Sequence, residues 1–329
     1  MAITMKQVAE KANVSLKTVS RVVNNEREIA DETRTRVLET INELGYRPNL
    51  VARSLVTQRS NIIGLIVPDI CNPYFSEVAR GVQEITQENN YSLMIASSED
   101  SERGEIELLR VMNSQSVDGV ILFGPMWSEA VDAFGAGNRP IITVNTFYDH
   151  PRVGCVMADH YNGACAAMDH LFARGHRRIA MLADVVGDPR EERRVSAYQD
   201  SLVKHGLPVD ESLIVRGNPR IPGGRAATKK LLTERPDVTA LFCFNDLLAL
   251  GALKACAEMG VRVPEDCAIV GFDDIDFASI TTPALSSVRV DKRELGRSAA
   301  MLALRMIERL DTPNRLVEIP AELIVRNSS

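Results

Sequence analysis

The sequence predicts an all-α helix-turn-helix domain at the N-terminus, followed by an α/β body of two parallel-sheet lobes. Three observations lead there. Residues 4 to 45 hold three short amphipathic helical patterns bounded by cap and stop residues. From residue 61 onward, continuous runs of Ile, Val and Leu alternate with helical patterns, as strands covered on both faces do. The charge is divided too: residues 1 to 60 carry ten Lys and Arg against seven Asp and Glu, the remainder 28 against 37. A basic head on an acidic body suits a head that meets a polyanion.

The first helix opens at Thr4-Met5-Lys6-Gln7, where Thr4 and Gln7 have the spacing of a capping box. It turns Val8, Ala9 and Ala12 inward, and Asn13 suits the left-handed residue that ends it. Ser15 caps a second helix that buries Val19, Val22 and Val23. A third starts near Asp31, aligns Val37, Leu38, Ile41 and Leu44, and stops at Gly45. Two short helices separated by about three residues have the proportions of a helix-turn-helix.

In the second of them, NVSLKTVSRVVNN, Lys17 and Arg21 lie four residues apart. An isolated cation pair of that spacing is ordinarily a solvated face. Placed on the second helix of this motif, it faces the major groove instead. Arg21 can fork onto guanine O6 and N7, Lys17 can reach guanine or a phosphate, and Leu16 can touch a thymine methyl. Ser15 and Thr18 suit phosphate oxygens; Thr4, Ser20 and Asn24 complete the DNA-facing set. In YRPNLVARSLVTQRSN, residues 46 to 61, Pro48 halts the preceding element and Asn49 can cap a new helix. Residues 50 to 56 make about two turns, too few to stand alone in water. The segment is then either a conditionally ordered hinge helix or a plain linker.

The run VAEKANVSLKTVSRVVN, followed by LGYRPNLVARSL, resembles the DNA-binding head and hinge of the lactose-repressor (LacI/GalR) family of bacterial transcription regulators. The likeness can be followed through the whole chain. It implies that hinge helices from two subunits pair over the minor groove, with Leu55 as the wedge at the central base step. It also implies Ala52 for close packing in the groove and Arg53 near the phosphates. For the body it implies a periplasmic-binding-protein-like fold whose chain returns to the first lobe near its C-terminus. Effector contacts are implied at Tyr74, Phe75, Asn145, Arg194, Asn245 and Asp273. One departure stands out: in GNPRIPGG, Pro219 falls where many relatives carry a stacking aromatic, and Arg220 is an unusual neighbour. The effector's identity therefore stays open, an anion included.

The body's strands are legible in NIIGLIVPDI, YSLMIAS, GVILFG, IITVN, RRIAMLAD, TALFCFN and CAIVGFDD. Alternating strands and helices form parallel sheets, and about 270 residues exceed one comfortable domain. The lobes are expected at roughly 62–160 and 161–290. Such sheets bind ligands beyond the carboxyl ends of their strands, where Asn145, Asn245, Asp246, Asp273 and Asp274 stand. Each alone suits a helix N-cap; together they suit a cleft that binds hydroxyls. Phe123 and Trp127, after GVILF, are either an apolar wall or core.

Other classes find little support. No run of about 18 apolar residues spans a membrane, and MAITMKQVAEK lacks the features of a secretory leader, so a cytoplasmic protein is expected. Six cysteines without CxxC spacing read as buried thiols. The chain has no phosphate loop, zinc-protease motif or nucleophile elbow, and its five histidines show no metal spacing. The expectation is no enzyme and no cofactor. The domains expected are a helix-turn-helix head (1–46), a hinge (47–60) and an effector-binding, dimerising body (61–329). Together they read as a homodimeric repressor of a pseudo-palindromic operator, controlled by a sugar, sugar acid or nucleobase. The alternative is a periplasmic-type small-molecule binding protein without DNA function.

Overall fold

The computed structural model describes residues 3–23, 29–46, 59–124, 128–134, 139–184, 189–308 and 315–329. The chain divides into two compact units, Met1–Ser60 and Asn61–Ser329. In the first, α1 (Met5–Ala12), α2 (Leu16–Val23) and α3 (Asp31–Leu44) form a three-helix head. Its local chemistry follows the capping rules. Gln7 Oε1 accepts from the Thr4 amide at 2.8 Å while Thr4 Oγ1 accepts from the Gln7 amide at 3.4 Å. Asn13 takes the left-handed conformation at φ 53° and closes α1. Ser15 Oγ accepts from the Thr18 amide at 3.0 Å at the start of α2, and Gly45 ends α3 at φ 63°.

Val8, Ala9, Ala12, Val19, Val22, Val37 and Tyr46 close the head's core. Leu38, expected inside, is 45% exposed. The inward row of α3 runs through positions 37, 41 and 44, and the next residue after Val37 lies about 100° around the helix from it. Tyr46, which follows the stop glycine, supplies the missing apolar cover. Val23 packs at the core's margin.

The second unit begins with β1 (Ile62–Val67), α4 (Pro73–Glu88), β2 (Ser92–Ser97), α5 (Glu102–Ser114), β3 (Gly119–Phe123), α6 (Ser128–Ala133), β4 (Ile141–Val144) and β5 (Val153–Ala158). It continues with α7 (His160–Ala173), β6 (Ile179–Ala183), α8 (Pro189–Lys204), β7 (Ile214–Arg216), α9 (Ile221–Glu234), β8 (Ala240–Cys243), α10 (Asp246–Met259), β9 (Ala268–Asp273), α11 (Asp276–Ile280) and β10 (Ser286–Val290). Then come α12 (Lys292–Ile307), β11 (Leu316–Ile319) and β12 (Ala321–Ile324).

These strands build two sheets, in the orders β11-β5-β4-β3-β1-β2 and β12-β10-β9-β8-β6-β7. Every described pairing is parallel except β10 with β12. The central strands are buried throughout, including all of β3, β4, β6, β8 and β9, which is why they read as unbroken apolar runs.

The chain passes between the lobes three times: after β5, after β10, and between β11 and β12. The C-terminal return is thus a return to the first sheet followed by a last strand in the second. Helix α12 packs along α4 and against β3, β4 and β5. Gly81 and Gly296 permit this approach, since a Cβ on either would lie 2.1 Å from a carbonyl oxygen of the facing helix.

Candidate DNA-reading helix and ligand cleft

On the head, Leu16 is 52% exposed, and Ser15 and Lys17 are exposed beside it, while Val19 and Val22 anchor the opposite side of α2. The helix presents its N-terminal half outward, as an element that enters a major groove must. Thr18, Ser20 and Arg21 are half-buried along the same element. Thr4 is exposed but engaged in the α1 cap. Asn24, Ala52, Arg53 and Leu55 lie outside the described residues, as do Trp127 and the expected hinge helix as a whole.

In the body, the carboxyl ends of both sheets face one narrow cleft with a cavity volume of about 40 Å³. The first lobe contributes Pro68, Asp69, Asn72, Tyr74, Phe75 and Asp100; the second contributes Asp184, Arg194, Pro219, Arg220, Phe244, Asn245, Leu247 and Asp273. Asn72 caps α4, accepting from the Tyr74 amide at 3.0 Å, and Pro73 fits the first helical position. That cap delivers Tyr74 and Phe75 to the wall, where their rings meet edge-to-face at 5.2 Å. Phe123 stands behind them, 5.4 Å from the Phe75 ring and 1% exposed, so it backs the wall from within the core.

Arg194 is held on several sides. Its guanidinium lies 3.6 Å from the Phe272 ring centroid and 4.4 Å from that of Phe244. Nη1 donates to the Phe244 carbonyl, and Nη2 pairs with His160 Nδ1 at 3.1 Å and with Asp273 at 3.6 Å. Asp273 adopts φ 106°, a backbone conformation that side-chain-bearing residues rarely take. Asn245 caps α10 through the Leu248 amide at 2.9 Å, and its Nδ2 donates to the Pro219 carbonyl at 3.0 Å.

Tyr74, Phe75, Arg194, Asn245 and Asp273 therefore share one cavity wall: Asn245 and Asp273 reach it from strand ends, Tyr74 and Phe75 from the start of α4, and Arg194 from α8. Three other residues do not join them. Asn145, 2% exposed, accepts from the Ala158 amide at 2.9 Å and ties β4 to β5. Asp246 is fully buried, accepting from the Ile275 amide at 2.8 Å and Ser287 Oγ at 2.6 Å. Burial first, and then the nearby Asp273 charge, push its carboxyl well above the usual range. Burial alone would also raise Asp274, but hydrogen bonds from Arg326 and Arg289 outweigh it and hold that carboxyl low. These acids brace the second lobe.

Asp69, Asn72, Asp184 and Phe244 were not singled out from the sequence, although Asp69 and Asp184 end strand runs just as Asp273 does. His160, buried behind Arg194, left no sequence signal at all. Cys71 is exposed on the loop after β1, unlike the other five cysteines, and Arg220, the unusual cation, forms an ion pair with Asp69.

Comparison with known proteins gives matches at both ends of the chain. Residues 4–49 match the profile described as bacterial regulatory proteins, lacI family, and residues 168–329 match a periplasmic binding protein-like domain. Catabolite control protein A from Priestia megaterium is 33% identical over 331 residues, covering 100% of both chains. Among solved structures, the lac repressor dimer bound to operator and the anti-inducer ONPF superposes with a TM-score of 0.88 at 26% identity, covering 100% of this chain and 99% of that one. The transcriptional regulator CelR-cellobiose complex has a TM-score of 0.76 at 30% identity, covering 99% of this chain and 100% of that one. With likeness of this extent from head to C-terminus, the chain belongs to the lacI family of bacterial regulatory proteins.

Proposed function

We propose that this chain is a transcriptional repressor that grips a pseudo-palindromic operator as a homodimer and is switched by a small hydroxyl-rich molecule, a sugar or sugar derivative. One observation carries it: a single chain joins a helix-turn-helix whose Leu16 and Lys17 are exposed to a body with a polar cleft between two lobes. The operator-bound lac repressor and the cellobiose-bound regulator support the two halves of this reading. It is a regulator and not an enzyme, and it works in the cytoplasm, where its DNA is.

In this mechanism Arg21 reads a base, Lys17 reaches a neighbouring phosphate, Leu16 meets a thymine methyl, and Ser15, Thr18, Ser20, Thr4 and Asn24 hold the backbone. Ala52, Arg53 and Leu55 act at the minor groove, where the wedge costs a few kcal/mol of stacking and gains contact surface. Tyr74 and Phe75 offer an apolar face to the effector, while Arg194, Asn245 and Asp273 pair with its hydroxyls. Asn145 acts indirectly, by fixing the strands behind the wall, and Phe123 backs the aromatic pair. Ligand binding changes the lobe angle and so the spacing of the hinges. Because linkage is reciprocal, operator DNA shifts effector affinity by the same factor, typically ~5–150-fold.

The test is to retain fragmented genomic DNA on the full-length protein, sequence what is held, and repeat at rising salt. Enrichment of an inverted repeat, with affinity falling steeply between about 50 and 200 mM salt, is expected. Retention without sequence enrichment overturns the operator reading. Thermal-shift titration with cellobiose, ribose, gluconate and adenine then ranks the effector classes by mass action.

A further inference from the structure

We propose that Arg220 and Asp69 form a latch that ties the two lobes together across the mouth of the cleft, which rests on the reading of that cleft as the effector site. Arg220 Nη2 lies 3.0 Å from Asp69 Oδ2. Asp69 belongs to the loop after β1 in the first lobe, and Arg220 precedes α9 in the second, so the ion pair crosses the cleft.

Each partner is pinned to its own lobe. Asp69 Oδ1 accepts from the Cys71 amide at 2.9 Å, and its carbonyl accepts from the Asn72 amide at 3.1 Å. On the other side, the Arg220 amide donates to the Asn218 carbonyl at 2.8 Å, and the Pro219 carbonyl accepts from Asn245 Nδ2 at 3.0 Å. Little backbone freedom is left to lose when the pair forms, which favours a net attraction over the usual entropic cancellation of a surface pair.

The exposure suits a reversible tie. The Asp69 side chain is 14% exposed and that of Arg220 is 44% exposed. One partner is largely withdrawn from water and the other can still leave. Salt screening and loss of either charge should both release it. The latch adds a breakable contact to the three covalent crossings between the lobes, and an effector has to part it to reach Arg194 and Asp273.

Hydrogen-exchange mass spectrometry on the full-length chain, with no DNA or effector added, tests this apart from the regulator reading. The amide bonds of Asn72 and Phe75 go to the Asp69 and Asn72 carbonyls within their own lobe, so losing Arg220 breaks none of them directly. In Arg220→Met, exchange across 69–75 of the opposite lobe is expected to rise at least threefold, with Arg220→Lys between that and wild type. Wild type in 1 M NaCl is expected to show the same rise, which decides the matter even if a variant folds poorly. A rise confined to 217–224, or no rise in either the variant or high salt, overturns the latch.

Discussion

The guanidinium of Arg194 lies 3.6 Å from the centroid of the Phe272 ring, on the strand that ends in its own counter-ion, Asp273. One strand, β9, thus supplies both an aromatic face and a carboxylate to one cation. Both charged side chains are nearly closed to water, at 3% and 10% exposure. A cation so enclosed is stable only while all its acceptors remain.

Arg194→Met should therefore destabilise the body by about 3–5 kcal/mol, the usual cost of breaking a buried pair. Arg194→Lys should fall short of wild type because an ammonium cannot fork between the Phe244 carbonyl, His160 and Asp273. Adding Asp273→Asn to Arg194→Met should recover part of the loss by removing the stranded charge. Urea unfolding checks all three, and an Arg194→Met midpoint equal to wild type would refute the account.

Much of this arrangement was legible in the sequence because strand-end polarity and aligned apolar runs are local signals. β1, β3, β4, β6, β8 and β9 are almost wholly buried and announce themselves as short, predominantly apolar runs. β7 has three residues, and β12 reads AELI with no fully buried position; neither carries a pattern that stands out. β10, SSVRV, hides its strand character behind two buried serines. The cleft was legible only in part for a different reason. Asn145 and Asp246 occupy the same strand-end places as Asn245 and Asp273, but whether such a residue faces a ligand or braces a neighbouring strand depends on tertiary contacts. Asp69 becomes significant only when Arg220, about 150 residues away, arrives opposite it.

The contact between α4 and α12 makes a second prediction. A Cβ at Gly296 would lie 2.1 Å from the Val78 carbonyl oxygen, and one at Gly81 would lie 2.1 Å from that of Arg293. Backbone atoms in two packed helices cannot swing aside as a side-chain tip can. Gly81→Ala and Gly296→Ala should each destabilise the body by about 1–3 kcal/mol through overpacking, despite alanine's better helix propensity. Thermal unfolding of either variant at or above the wild-type midpoint would contradict so close an approach.

Asp246 predicts a pH dependence. Its folded carboxyl is raised far above the unfolded value of 3.8, first by burial and then by Asp273. The folded state therefore keeps a proton that the unfolded chain releases. Asp246's contribution is fully present below pH 3.8 and is lost progressively as pH rises from there toward the folded value. Asparagine stays neutral and keeps an acceptor for the Ile275 amide, while its Nδ2 donates to Ser287 Oγ where the carboxyl oxygen accepts from it. Asp246→Asn should match wild type near pH 3.5 and become the more stable of the two as pH rises through neutrality. Denaturation at a series of pH values reads the gap between them, and a gap that does not widen with pH would refute it.

The head offers the sharpest contrast between two cations on one helix. Arg21 and Lys17 lie four residues apart on α2, beside the exposed Leu16, but they can read DNA in different ways. A guanidinium that forks onto one guanine is specific to that base pair, whereas an ammonium near a phosphate acts as a point charge. Arg21→Ala should cost about 1–3 kcal/mol of operator affinity and relax the preference at one base pair in each half-site. Lys17→Ala, where its contact is to phosphate, should weaken all sequences alike and reduce the salt slope by about one. Binding measured against single-base operator variants at several salt concentrations separates the two. If Arg21→Ala weakens every variant equally while Lys17→Ala changes selectivity, the roles are exchanged, and it is the lysine that faces the base edge.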